Sequence, residues 1–430
     1  MSKSFRKKQL YFIIILIFLA FILRVFFILR FGVRESPDGL LYSNIALNLL
    51  QGKGFIQTIR PYEFITPPLY PLFLSFIYLI FGKANYLAVV IIQSVFGTLT
   101  CIFIYLIGKK VFSIGVAAMS SLYFAIYPIS IWWNSFFLTE TVYTFFLVFF
   151  VWYLISLFSK NKISTKKLLF AGFLWGICNL VRPNLLFFFP LLFLWILLVA
   201  RKNYLKYSLL IFLGMVITIA PWILRNYIIY RKIVPVASYG MEIIWLGNSE
   251  FTNPDICYSS DIYADNPRVQ EIQQKVKNLP SSQQEKIYIQ EVKNFIIQQP
   301  SLFITNFFKK LLTFWRSVNL HLSIFNHNFL DISINRLYSY LIYLLPVGVL
   351  LAVISPILRF RYHLLVLLIL IYYSLLISFM TIAPAGRYRL PIMPFAVMYM
   401  FFPIGKVFEL INNKFKIREK FLKSFHLKTS

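Results

Sequence analysis

The sequence predicts an all-α integral membrane protein with about ten transmembrane helices, and two observations lead to that fold class. Hydrophobic residues make up 59% of the 430-residue chain and charged residues only 13%, with a mean hydropathy of +0.72. The apolar residues recur in runs of about 20, the length that crosses about 30 Å of hydrocarbon. Because lipid offers no hydrogen-bond partners, each run must form a helix that satisfies its own backbone.

Ten apolar runs are predicted to span the membrane. They lie at about residues 10–29, 86–107, 112–129, 136–158, 168–181, 184–200, 207–224, 337–354, 364–382 and 390–408. The additional run 69–81 is short and flanked by prolines, and if it spanned, the basic pair Lys109 and Lys110 would fall outside. We therefore expect it to be an interfacial or re-entrant helix.

The chain is predicted to have three parts. Residues 1–224 form an N-terminal transmembrane module, and its first outer loop, residues 31–85, is expected to carry the catalysis. Residues 225–333 form an extracytoplasmic loop with interfacial helices. Residues 334–430 contain the C-terminal transmembrane helices and a basic cytoplasmic tail.

The distribution of charge predicts the orientation of the chain. Basic segments at the N-terminus, at residues 160–167 and in the C-terminal tail follow the rule that cytoplasmic segments are rich in Lys and Arg. With this topology all 15 acidic residues except Glu409 and Glu419 lie on the extracytoplasmic side. We expect a multi-pass protein of the plasma (inner) membrane, with a retained first helix, both termini in the cytoplasm and an active site that faces outward.

Several classes of partner and cofactor are not indicated. The net charge of +28 does not predict nucleic-acid binding, because the Lys and Arg residues are dispersed between apolar runs and contact membrane lipids instead. The three cysteines match no zinc or disulfide pattern, and no nucleotide-binding glycine loop is present. His321 and His327 share one loop and are weak candidates for metal ligands. No cofactor is therefore required and no metal ligand is assigned, although a divalent metal stays open.

Two acidic residues at the outer face are candidates for the chemistry. Asp38 starts a stretch with helical spacing, so it is at or near an N-cap, or it is the general base for an acceptor hydroxyl; the two interpretations are compatible. Glu140 stands at the outer start of the fourth span. It is either a helix-start carboxylate favoured by the helix dipole, or it lines a cavity that it shares with Asp38. Tyr42 and Glu63 are further candidates for the lining of that cavity.

Three arginines are predicted at the outer ends of helices, where the positive-inside rule disfavours them: Arg182, Arg387 and Arg389. The guanidinium fork matches phosphate oxygens, so all three are candidate ligands of a donor phosphate. The alternative is that they pair with lipid headgroups or with Asp38 and Glu140. Carboxylates, arginines and apolar helices in this combination suit a sugar donor that is linked to a lipid phosphate.

Several motifs resemble those of a known family. The run from Asp38 to Phe55 reads D-x(3)-Y-x(2)-I-A-x-N-L-L-x-G-K-G-F and is followed by PPLYPLFLSFIYLIFG. Later stretches read FFLTETVY, GFLWGICNLVRPNLLFFFP and GRYRLPIMPF. In this order they resemble the polyprenol-phosphate-sugar glycosyltransferases of the C-type membrane superfamily. More narrowly, they resemble the dolichyl-phosphate-mannose protein mannosyltransferase-like group, which includes the lipid A aminoarabinose transferases.

The resemblance implies an inverting glycosyltransferase that moves a hexosyl or pentosyl group from a polyprenyl-phosphate donor to an extracytoplasmic glycan, lipid or protein. It implies that Asp38 is the catalytic base. Relatives often carry a second acid where this chain has Gly39, and the aminoarabinose transferases carry an acid and a lysine where it has Ile65 and Thr66. These departures argue against a metal role and against aminoarabinose as the sugar.

Two other functions were compared with this one. A transporter or flippase for a lipid-linked saccharide needs charges along a pathway through the membrane, and Arg24 is the one candidate, which can instead snorkel to the interface. An O-antigen polymerase or ligase concentrates its arginines in a large outer loop, whereas the arginines here stand at helix ends. The sequence therefore favours the glycosyltransferase.

Overall fold

The computed structural model is all-α. It describes residues 3–59, 65–160, 162–238, 240–254, 265–277, 279–316, 340–355, 360–381 and 386–426. Within these ranges there are 17 α-helices, short 3₁₀ helices and no strand, apart from an isolated bridge between Arg34 and Phe136. The helices are α1 (Lys3–Phe31), α2 (Pro37–Leu50), α3 (Leu69–Phe81), α4 (Tyr86–Val111), α5 (Ile114–Ile126), α6 (Pro128–Asn134), α7 (Thr139–Leu157), α8 (Thr165–Val181), α9 (Phe189–Ala200), α10 (Tyr204–Tyr230), α11 (Met241–Gly247), α12 (Pro267–Val276), α13 (Ser281–Gln298), α14 (Pro300–Trp315), α15 (Leu344–Ile354), α16 (Phe360–Met380) and α17 (Met393–His426).

Six helices in the described part of the chain are long and apolar enough to cross a membrane by themselves. A seventh crossing forms if the bent pair α5 and α6 is one span, and α3, α9 and Tyr340–Ile354 are shorter apolar helices. Within the described residues, each of the ten predicted spans is largely helical, and the third is divided between α5 and α6. The all-α, multi-pass membrane fold predicted from the sequence is thus confirmed.

The third predicted span is broken in the middle. α5 and α6 meet at an angle of 48° around Tyr127, because Pro128 has no backbone N–H and cannot continue a regular helix. The break leaves the last carbonyls of α5 without helical partners. Arg24 compensates: its Nη1 donates to the Ala125 carbonyl at 3.3 Å and its Nη2 to the Phe124 carbonyl at 3.4 Å.

Arg24 is buried and also donates to the Ala20 carbonyl and the Ser130 hydroxyl. Its guanidinium therefore closes a helix break inside the bundle. This use of Arg24 removes the one charged residue that the sequence offered for a transport pathway.

Helices α11 to α14 form the described part of the long loop that the sequence predicts to be extracytoplasmic, called the outer loop below, and have a small hydrophobic core of their own. Trp245 of α11 stacks on Tyr288 of α13, with ring centroids 5.3 Å apart. Phe379 and Met380, at the end of α16, pack against this core. The outer loop is thus attached to the membrane bundle at the end of α16.

The helix α14 turns its polar side toward the protein. Its buried residues include Asn306 and Lys310. Its exposed face carries Ile304, Phe308 and Leu312, each one helical turn from the next. An apolar outer face is the arrangement expected of an interfacial helix that lies against lipid.

The position of α8 is fixed by close packing against α10. Gly172 of α8 faces Gly214 of α10, and a Cβ on either glycine would collide with the backbone of the other helix. Any larger residue would therefore push the two helices apart. The contact also fixes Arg182, which follows Val181, the last residue of α8.

Candidate active site

Four charged side chains that are far apart in the sequence meet where helices begin or end: Asp38, Glu140, Arg182 and Arg387. Arg387 Nη2 donates to Asp38 Oδ2 at 2.6 Å, and Arg387 Nε lies 2.6 Å from Glu140 Oε1 in a second ion pair. Arg182 Nη1 donates to the same Glu140 oxygen at 2.8 Å. We call these four residues the charged cluster.

Asp38 stands in the first turn of α2. The N-cap of this helix is Ser36, whose hydroxyl accepts a hydrogen bond from the Gly39 N–H at 3.0 Å, and Pro37 occupies the first helical position. Asp38 therefore lies near the cap without being the cap. Its side chain is 35% exposed, against 21% for Arg387 and less for the other two members of the cluster.

The residue after Asp38 has no room for a side chain. A Cβ at Gly39 would lie 2.9 Å from both the ring and the carbonyl oxygen of Phe137, just before α7. An acid at position 39 would therefore force α2 away from α7. The absence of a side chain at position 39 therefore allows the close contact between α2 and Phe137 that holds Asp38 in place.

Two tyrosines lie beside Arg182, and one of them was predicted. Tyr42, one turn after Asp38, is buried and packs edge-on against Tyr70, with ring centroids 5.3 Å apart. Tyr373 of α16 was not singled out from the sequence; its hydroxyl accepts a hydrogen bond from Asn184 Nδ2 at 2.9 Å. Both hydroxyls are near enough to interact electrostatically with the guanidinium.

Glu140 lies in the first turn of α7 and is fully buried. Two guanidiniums converge on its Oε1, and the Thr139 hydroxyl donates to its Oε2 at 3.4 Å. A buried carboxylate is costly unless charges and hydrogen bonds compensate it, and here two arginines do so. Glu140 thus has the helix-start position that the sequence predicts, and its place in the lining of a cavity stays a prediction.

A buried polar network, which the sequence analysis missed, fixes the turn before Glu140. Tyr70 OH donates to Gln93 Oε1 at 2.7 Å, and Gln93 Nε2 donates to the Phe136 carbonyl at 2.8 Å. All three groups belong to different elements around α7. The signal was available in Gln93 itself, because an amide within an apolar run needs partners.

Arg182 and Arg387 reach the cluster from two irregular segments. Arg182 has an extended backbone, with φ −149° and ψ 128°, between α8 and Pro183. Arg387 stands near the start of a 3₁₀ helix, Gly386–Ile392. The ring of Tyr388 lies 5.9 Å from the Arg182 guanidinium carbon and 5.6 Å from that of Arg387. An aromatic face therefore flanks both cations.

The remaining predicted site residues have other surroundings. Arg389 is buried, and its Nη1 donates to the carbonyls of Phe314 at 2.9 Å and Arg316 at 3.0 Å, at the end of α14. Its hydrogen bonds thus go to the backbone of the outer loop. Glu63 lies outside the described residues.

The charge balance of the cluster determines whether it could bind a metal ion. Two carboxylates face two guanidiniums, so the formal charge is zero, and a divalent cation would meet both arginines. In the described ranges no three His, Cys, Asp or Glu residues are placed to hold a metal, and His321 and His327 lie outside those ranges. The cluster does not fit a metal, and we derive no step through one.

Comparison with known proteins relates part of the sequence and the fold to glycosyltransferases. Residues 66–224 match the family model described as dolichyl-phosphate-mannose-protein mannosyltransferase. The solved structure of the archaeal oligosaccharyltransferase AglB from Archaeoglobus fulgidus, in complex with an inhibitory peptide and a dolichol-phosphate, is 14% identical with a TM-score of 0.55, and the match covers 97% of this chain and 52% of that one. The solved structure of ArnT from Cupriavidus metallidurans bound to undecaprenyl phosphate is 13% identical with a TM-score of 0.43. That match covers 93% of this chain and 78% of the ArnT chain. A search of curated protein sequences finds no match.

The family match confirms the predicted resemblance over residues 66–224, and the chain shares its fold with AglB. The matched stretch includes Glu140 and Arg182 of the charged cluster. This chain spans about half the length of the AglB chain. The shared fold therefore does not by itself identify the donor or the acceptor of this chain.

Proposed function

We propose that this chain, which has the fold of the C-type membrane glycosyltransferases, is an inverting glycosyltransferase. It moves one sugar from a polyprenyl phosphate to an acceptor on the extracytoplasmic side of the plasma membrane. The observation that carries the proposal is the bridge that Arg387 makes between the accessible Asp38 and the buried Glu140. It puts a proton acceptor beside a guanidinium that matches phosphate oxygens. The dolichol-phosphate in the AglB complex belongs to the same chemical class as this donor.

In the proposed reaction, Asp38 takes the proton of an acceptor hydroxyl while that oxygen attacks the anomeric carbon of the sugar. The bond between this carbon and the phosphate oxygen breaks, and its electron pair stays on the phosphate. Attack from the side opposite the phosphate inverts the anomeric configuration. Arg387 and Arg182 bind the phosphate oxygens and stabilise the charge that develops on them.

The charge of the cluster changes in step with that of the donor. Before transfer the cluster is formally neutral, and the donor phosphodiester carries a single negative charge. As Asp38 gains a proton, the cluster becomes positive while the departing phosphate becomes more negative. The attraction is therefore stronger in the transition state than in the ground state, which is the condition for acceleration.

Glu140 has no part in proton transfer in this scheme. It is fully buried, and both arginines share one of its oxygens, so it holds the guanidiniums in position. The donor phosphate instead competes with Asp38 for Arg387. Its binding releases the Asp38 oxygen that accepts the proton.

We expect Asp38→Asn to abolish transfer while the donor still binds, at least as tightly as to the wild type, because an amide has the shape of the carboxylate but cannot take the proton and carries no charge that competes for Arg387. The assay uses purified protein in lipid vesicles, radiolabelled polyprenyl-phosphate sugars and a crude envelope extract as acceptor. Label transferred by the wild type alone supports the proposal and identifies the sugar.

The matched control is Glu35→Gln, because Glu35 is an exposed acid three residues earlier. It should transfer at the wild-type rate. Undiminished turnover in Asp38→Asn would remove Asp38 as the base. A wild type that transfers from no donor but moves lipid-linked sugar between leaflets would replace the proposal with the transporter.

A further inference from the structure

The segment that carries Arg387 is attached to the outer loop on both sides. It extends from Thr381, directly after α16, to Arg389; residues 382–385 lie outside the described ranges. We call its described residues, Thr381 and 386–389, the Arg387 segment. Its attachment matters, because the Arg387 guanidinium contacts both carboxylates of the charged cluster.

The first attachment is the fully buried ammonium of Lys310 on α14. Its Nζ donates to the Gly247 carbonyl at 2.7 Å and lies 3.4 Å from both Asn248 Oδ1 and the Thr381 carbonyl. Asn248 Nδ2 donates in turn to the Phe379 carbonyl at 2.8 Å. The Gly247 carbonyl ends α11, and the carbonyls of Phe379 and Thr381 lie at the end of α16, where the helix dipole favours a cation. Lys310 therefore joins α11, α14 and the start of the Arg387 segment.

The second attachment is Arg389, at the other end of the segment. Its Nη1 donates to the carbonyls of Phe314 and Arg316 at 2.9 and 3.0 Å. These residues end α14, so their carbonyls also lack helical partners. A single helix of the outer loop thus contacts the Arg387 segment on both sides of Arg387.

We propose that Lys310 and Arg389 are positioning residues that hold Arg387 against the donor phosphate. The inference rests on the proposed function of the charged cluster. Both residues act through Arg387, since their hydrogen bonds go to backbone and amide oxygens. The outer-loop helix α14 thereby sets the affinity of the site for a lipid phosphate.

Binding of undecaprenyl phosphate to the full chain in lipid nanodiscs tests the inference without any transfer reaction. Lys310→Met removes the ammonium and keeps the length of the side chain, so we expect the Kd to rise about tenfold. The control is Lys309→Met, because Lys309 is an exposed lysine on the same helix. Its Kd should stay at the wild-type value.

A second comparison separates positioning from general damage. In an Arg387→Ala background, Lys310→Met should cause no further loss, because the residue through which it acts is gone. Arg389→Lys, which keeps the charge and shortens the reach, should also raise the Kd if Lys310→Met fails to fold. Additive losses, or a wild-type Kd in both single variants, would overturn the inference.

The outcomes also separate this inference from the proposed function. If the wild type does not bind undecaprenyl phosphate, or if Arg387→Ala binds it equally well, the phosphate site itself is wrong and the inference falls with it. If Arg387→Ala weakens binding while Lys310→Met and Arg389→Lys do not, only the positioning role is wrong.

Discussion

At the scale of single residues, Gly39 determines how closely α2 approaches the start of α7. The neighbouring Asp38 is held near Arg387 because α2 lies directly on Phe137, with no side chain between them. An acid at position 39 would not fit this contact, and Asp38 pairs with Arg387.

We expect Gly39→Ala to lower transfer strongly and to destabilise the protein by about 1 to 3 kcal/mol, the usual cost of overpacking. The added methyl group would meet backbone as well as ring atoms, so a rotamer change of Phe137 cannot relieve the contact. Transfer rate and thermal unfolding in detergent measure the two effects.

Gly115→Ala is the matched control, because Gly115 is also helical and a Cβ there would come only within 3.9 Å of the Ser113 hydroxyl. It should leave both quantities unchanged. Full activity in Gly39→Ala would mean that the distance between α2 and α7 does not matter for the reaction.

At the scale of elements, α14 combines an apolar outer face with a buried ammonium on its inner face. Burial lowers the pKa of Lys310 to about 7, well below its ordinary value of 10.5. Between pH values of about 7 and 10.5, Lys310 therefore binds fewer protons in the folded protein than in the unfolded chain. Over that interval the free energy of unfolding increases with pH, and below about 7 this contribution levels off.

The melting temperature of the wild type, relative to that of Lys310→Met, should therefore rise as the pH increases from 7 toward 10. The difference between the two proteins cancels the other titrating groups, which are shared. Parallel curves for the two proteins would show that Lys310 keeps its ordinary pKa when folded. Lys309→Met, at an exposed position of the same helix, is the control variant.

The helices themselves could be predicted from hydropathy and charge, because those properties report which residues face lipid. The choice between Arg387 and Arg389 could not. The two differ by only two positions, and the path of the 3₁₀ helix Gly386–Ile392 sends one to the carboxylates and the other to the end of α14. The break between α5 and α6 and its closure by Arg24 also depend on tertiary contacts that no local pattern contains.

At the scale of the whole molecule, the charged cluster and the outer loop lie on the same side of the bundle. Asp38 and Glu140 stand at the starts of α2 and α7, and the Arg387 segment joins the outer loop directly. The last turn of α4 carries the basic residues Lys109 and Lys110. This distribution agrees with an active site that faces away from the cytoplasm.

Cysteine labelling on intact cells tests the orientation. In a variant without native cysteines, Glu63→Cys should react with a membrane-impermeant maleimide, and Ile163→Cys should react only after the membrane is permeabilised. The first position lies in the predicted outer loop and the second in a predicted cytoplasmic one. The reverse pattern would place the cluster in the cytoplasm and exclude the proposed direction of transfer.

In the proposed reaction, the ion pair between Asp38 and Arg387 also determines how a catalytic cycle ends. A protonated Asp38 no longer competes for Arg387, so the spent lipid carrier is bound more tightly than the donor that preceded it. Because the carboxyl is 35% exposed, its proton escapes to water, and the restored ion pair then displaces the carrier. The protein is thus returned to its starting state by its own base.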